Sequence, residues 1–110
     1  MRKLKDVAKI IRSKNSGPFE LTLDVIFADD EMFEKAVKTQ IITKDIISKT
    51  YGISPDTILD IIEYPVARAI KVTLIRPIPS GALGERDVYG AQQHAPLMEL
   101  EVNLWFRWRA

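Results

Sequence analysis

A chain of 110 residues with 46% hydrophobic and 28% charged residues has the composition of one folded domain, taken here as residues 1–110. Its 16 Lys and Arg against 15 Asp and Glu leave a net charge of +1, which argues against a nucleic-acid binder driven by phosphate contacts. The absence of cysteine excludes disulfides, thiolate catalysis and cysteine-based zinc sites, and suits a reducing compartment.

At the start, Leu4, Val7, Ala8 and Ile11 have helical spacing, while residues 8–12 read equally as a strand entering a turn at Lys14–Gly17. The expectation is helix at the extreme start and extended chain near Ile10–Arg12. Phe19, Leu21, Leu23, Val25 and Phe27 then alternate with Glu20, Thr22 and Asp24, the pattern of a strand with one buried face. Asp29 or Asp30 can cap a helix over about 30–40, with Phe33, Ala36, Val37 and Ile41 along one face. Thr43 can cap a second helix that runs to Tyr51 and stops at Gly52. Ser54-Pro55-Asp56 opens a brief turn. Residues 59–64 and 68–76 then form a hairpin ended by Pro77.

Residues 77–96 hold Pro77, Pro79, Gly81, Gly84, Gly90 and Pro96 and read as one long irregular segment. Beyond it, Met98, Leu100, Val102, Leu104, Phe106 and Trp108 alternate with polar residues, which predicts a long half-buried strand over about 97–107. On that reading Trp105 lies exposed between Asn103 and Arg107 unless another subunit covers it, so a homo-oligomer is expected when the chain is alone. No apolar run is long enough to span a membrane, and no signal-peptide core follows the basic start, so a cytoplasmic protein without membrane or nucleic-acid partners is expected. The order strands, helices, strands predicts an α+β fold: a ferredoxin-like two-layer sandwich, with a mostly antiparallel sheet and helices on one face.

Two segments are candidates for chemistry. Arg12-Ser13-Lys14-Asn15-Ser16-Gly17 combines positive charge with small residues whose backbone N–H groups can receive a carboxylate or phosphate; the plainer reading is a solvated turn. The second holds Asp87, Tyr89, Gln92, Gln93 and His94, the single histidine. His94 can act as a general base near neutral pH, but alone it builds no metal site. A histidine that braces its loop is the commoner case. No metal or cofactor motif appears, so neither is expected. If the strands that start at Pro18 and at Leu97 are adjacent and parallel, both preceding segments emerge at one end of the sheet and form a shared anion pocket.

The stretches Ile11-Arg12-Ser13-Lys14-Asn15-Ser16-Gly17-Pro18-Phe19 and Asp87-Val88-Tyr89-Gly90-Ala91-Gln92-Gln93-His94-Ala95-Pro96-Leu97 resemble an uncharacterised family of short proteins, domain of unknown function family 4387. The resemblance runs from about Leu4 to Val102. More distantly it is similar to the ferredoxin-like domain of AtuA-like (acyclic-terpene-utilisation-type) proteins, whose Arg-Ser-Gly-Asp-Lys-Gly stretch sits where Arg12 to Gly17 sit here; Asn15 follows Lys14 in this chain and that aspartate is lacking. Members of the family tend to be encoded beside a larger AtuA-like protein. The resemblance therefore implies a small accessory subunit of an AtuA-like assembly acting on carboxylic acids or acyl-CoA compounds. A stand-alone enzyme using His94 and the Arg12–Lys14 segment on a small carboxylate, and a self-associating module without chemistry, are the alternatives.

Overall fold

A computed structural model describes residues 2–17, 19–75 and 95–102. In chain order these hold β1 (Arg2–Lys3), α1 (Leu4–Val7), β2 (Ala8–Gly17), β3 (Glu20–Phe27), α2 (Asp30–Lys38), α3 (Lys44–Tyr51), β4 (Ile58–Tyr64), β5 (Ala69–Ile75), α4 (Ala95–Met98) and β6 (Glu101–Val102). The class is α+β, with a sheet of order β2-β3-β5-β4 in which every pair is antiparallel.

The helices form where local signals place them. Asp29 accepts a hydrogen bond from the Met32 N–H at 2.8 Å, satisfying one of the unpaired donors at the start of α2. Thr43 does the same for Ile46 at 3.2 Å and starts α3. Gly52 ends α3 at φ 66°, a left-handed conformation that suits glycine. Pro55–Thr57 form a single 3-10 turn before β4, capped by the Ser54 hydroxyl.

Alternation in the strands decides which face is covered. Leu21, Leu23, Val25 and Phe27 of β3 are buried, as are Ile70, Val72 and Leu74 of β5. These residues are cross-strand partners: Leu21 with Leu74, Leu23 with Val72, Val25 with Ile70. They share one core with Phe33 and Ala36 of α2 and Ile47 of α3. Two helices therefore pack on one face of the sheet, which gives the sandwich its two layers.

The chain ends join the same core. β1 and β6 pair as a separate two-stranded ribbon, Arg2 opposite Val102. Leu4, Val7, Leu97 and Val102 are all buried. Tyr51 makes a backbone hydrogen bond with Leu97, and burial pushes its phenol well above the usual range.

Three expectations are corrected. The expected strand does not start at Leu97: Ala95–Met98 is a helical turn, and among the described residues extended chain resumes at Glu101–Val102, against Arg2–Lys3. The alternation of Met98, Leu100 and Val102 is not a strand face here: the helical turn buries Leu97 instead, and Leu100 and Val102 join the same core. Second, the strands expected to start at Pro18 and at Leu97 are not a parallel pair: β3 lies between β2 and β5, and Glu101–Val102 pair with Arg2–Lys3 in the separate ribbon. Third, Phe19, read as part of the buried face of β3, lies in the turn before it and is 59% exposed. Trp105 and the segment 103–110 lie outside the described residues.

Candidate functional site

The basic segment is not a loop. Residues 12–15 sit in the middle of β2, paired in register with Asp24, Leu23, Thr22 and Leu21. Side chains alternate across a strand, so Arg12 and Lys14 lie on one face of the sheet and Ser13 and Asn15 on the other. Ser13, 7% exposed, belongs to the covered face beside Leu23. Arg12 and Lys14 therefore share no face with Ser13 and Asn15. Arg12 is already engaged: its Nε lies 3.0 Å from Asp24 Oδ2 on the neighbouring strand. The Lys14 carbonyl accepts from the Thr22 hydroxyl at 3.3 Å. Gly17 closes the β2–β3 ladder opposite Glu20; the side chain of Ser16 lies outside the description. Asp87, Tyr89, Gln92, Gln93 and His94 lie outside the described residues.

A hollow among the described residues lies elsewhere, between α2 and the β4–β5 turn. It is an open groove of about 720 Å³. Its apolar lining comes from Phe33 and Val37 of α2 and from Pro65 and Val66 of the turn. Phe33 is anchored by an edge-to-face contact with Phe27, ring centres 6.4 Å apart. Glu34, Lys38 and Glu63 supply charge around it. Arg68 holds the turn in place in two ways. Its carbonyl accepts from the Phe27 N–H at 2.8 Å, and its guanidinium Nε lies 3.0 Å from Asp30 Oδ1. The turn itself, a 3-10 turn over Pro65–Ala67, closes with the Arg68 N–H donating to the Pro65 carbonyl at 3.1 Å and Arg68 at φ 54°. Val66 is left 98% exposed at its tip.

An apolar residue at a hairpin tip contributes nothing to the core, and polar turn residues are the common choice there. Val66 between Pro65 and Ala67 is thus the signal in the sequence that points to this groove. Helical spacing marks Phe33 and Val37 only as core residues.

Opposite ends of the chain meet at a third place. The Glu99 carboxylate binds Lys3 Nζ at 2.6 Å and Lys5 Nζ at 3.2 Å. The hydrogen bonds from Lys3 and then Lys5 hold the Glu99 carboxyl below the usual carboxylate range, and Glu99 in turn raises Lys3. All three groups are exposed, so this is a clamp on the terminal ribbon. A smaller hollow of about 340 Å³ nearby is lined by Lys5, Lys9, Ile11 and Met98. Among the described residues, no three His, Asp or Glu side chains gather to hold a metal ion. No described helix is long and apolar enough to cross a membrane.

Residues 4–101 match the family DUF4387, a domain of unknown function. The chain belongs to this family. The DUF4387 span opens at buried Leu4 and closes at Glu101 in β6, so it takes in the sheet, both main helices and most of the terminal ribbon. The Leu4 N–H donates to the Leu100 carbonyl at 2.7 Å, joining the two ends of the span directly. No match is found among curated proteins or solved structures.

Proposed function

We propose that this DUF4387 chain is an accessory subunit that binds a larger AtuA-like protein, in the breakdown of carboxylic acids or acyl-CoA compounds. The observation that carries the reading is Val66, 98% exposed on a turn fixed by Arg68 and beside an apolar groove of about 720 Å³. A rigidly presented apolar side chain next to a pocket is the usual form of an anchor in a protein interface. The neighbouring Glu34, Lys38 and Glu63 make a polar rim of the kind that sets partner choice. The choice of an AtuA-like partner rests on the resemblance of the two sequence motifs and the gene neighbours that the family tends to have.

A stand-alone enzyme acting through His94 and Arg12–Lys14 is less well supported. Arg12 is paired with Asp24, and Ser13 and Asn15 lie on the opposite face of the strand. Affinity purification of the tagged chain from its native organism tests the proposal. The expected result is recovery of an AtuA-like protein in stoichiometric amount. Recovery of the chain alone, together with turnover of a small carboxylic acid, overturns it.

A further inference from the structure

The sheet has a second face, and no described helix or strand packs on it. Its residues fall into three rows across the strands β2, β3, β5 and β4. The first is Ile10, Ile26, Ala69 and Tyr64; the second Arg12, Asp24, Lys71 and Ile62; the third Lys14, Thr22, Thr73 and Asp60. Ile10 and Tyr64 are 40% and 43% exposed, and Ile62 is exposed as well. The charges are sorted: the β2 edge carries Arg12 and Lys14, and the β4 edge carries Asp60.

We infer that this face is a self-complementary surface through which two copies of the chain form a dimer, with a two-fold axis parallel to the strands. Two axes are available for sheets stacked face to face. An axis perpendicular to the strands lays β2 antiparallel on β2 of the copy and brings the two basic edges that carry Arg12 and Lys14 together, which like charges oppose. An axis parallel to the strands exchanges the edges, so β2 of one copy covers β4 of the other and β3 covers β5.

Every row then meets a suitable partner. Lys14 faces Asp60 of the second copy, and Asp24 faces Lys71. Ile10 faces Tyr64 and Ile26 faces Ala69, while Thr22, buried within its own chain with its hydroxyl bonded to the Lys14 carbonyl, takes no part in the contact. The alkyl stem of Arg12 covers Ile62 while its head stays with Asp24. Glu20, at the rim opposite Ile75, is the charge on this face without an opposite charge across the interface. Sheets stack about 10 Å apart, a gap that lysine side chains can bridge. An aligned crossing near 30° displaces the outer strands by only about one residue. A footprint of about 19 by 23 Å belongs to the small class of interfaces, so the dimer is expected in the micromolar range. This surface is distinct from the Val66 groove and does not depend on the accessory role.

Sedimentation of the full chain over a concentration series to about 200 µM, at about 50 and 500 mM salt, tests the inference. A monomer–dimer equilibrium weakened by salt is expected. Lys14→Glu and Asp60→Lys should each weaken dimerisation at least about tenfold at low salt, because each repeats the like-charge contact twice. An equimolar mixture of the two variants should restore a dimer. In the mixed pair the two reversed charges meet each other at one contact, and the native Lys14 meets the native Asp60 at the other. Both positions are exposed, so circular dichroism should show an unchanged fold. A monomer at every concentration overturns the inference, as does an assembly indifferent to both reversals. A mixture that stays as weak as its components also overturns it, because it excludes this axis.

Discussion

The Arg12 guanidinium lies 3.0 Å from the Asp24 carboxylate across the β2–β3 pair, and this one contact ties the most basic segment of the chain into the sheet. Asp24 is 14% exposed at its side chain and Arg12 58%, so the pair is half screened by solvent. Arg12→Ala should cost about 0.5–1 kcal/mol in urea unfolding, with Lys71 on the other flank of Asp24 limiting the loss. A loss above about 3 kcal/mol would mean that Asp24 is left as a buried unpaired charge.

The clamp on Glu99 makes a prediction about acid. Hydrogen bonds from Lys3 and Lys5 lower the Glu99 carboxyl in the folded chain below its ordinary 4.5. A lowered folded value stabilises the protein above the unfolded value, and that contribution fades as pH falls through the folded one. The melting temperature of Glu99→Gln should therefore lie below that of the native chain at neutral pH, and the two should converge below about pH 4. High salt should shrink the same difference, since all three groups are exposed.

Tyr51 predicts the opposite edge of the pH range. Burial raises its phenol above the ordinary 10.0, so the folded chain keeps the proton while the unfolded chain releases it. Stability is then unaffected by this group below about pH 10 and falls as pH rises beyond it. Tyr51→Phe should remove that alkaline decline. It should also cost about 1 kcal/mol at neutral pH and reduce hydrogen-exchange protection near Leu97 and Leu100, whose segment Tyr51 helps to hold.

Gly52 stands at φ 66° with open space where a Cβ would sit. The cost of Gly52→Ala is therefore conformational alone, about 1 kcal/mol, measured as a lower midpoint in urea. Gly52→Asn should cost less, because asparagine visits this region more readily. Equal losses for the two would point to a steric cause.

Local signals account for the elements that could be read from the sequence. Asp29, Thr43 and Gly52 bound α2 and α3 through contacts within a few residues, and the alternation of β3 and of β5 follows from one covered face. Where the partner lies far along the chain, the local pattern misleads. Ser13-Lys14-Asn15-Ser16-Gly17 has the composition of a turn, yet pairing with β3 draws it into the ladder. Ala95–Val102 alternates like a strand, yet its only described strand partner is Arg2–Lys3. The same long-range pairing divides Arg12 and Lys14 from Ser13 and Asn15, a separation that sequence spacing alone could have flagged once β2 was known to run on. The groove beside Val66 combines α2 with a turn of the β4–β5 hairpin, so only the assembled fold reveals it.

The most direct measurement of the proposed role is a binding titration between the purified chain and a purified AtuA-like protein from the same organism, repeated with Val66→Asp. The expected result is a stable complex for the native chain, weakened at least about tenfold by placing a charge at the exposed tip. Val66→Asp alters a residue that is 98% exposed, so its melting temperature should match the native one. No complex at about 100 µM of each protein would contradict the accessory role. A complex that forms equally well with Val66→Asp would contradict the groove as its site.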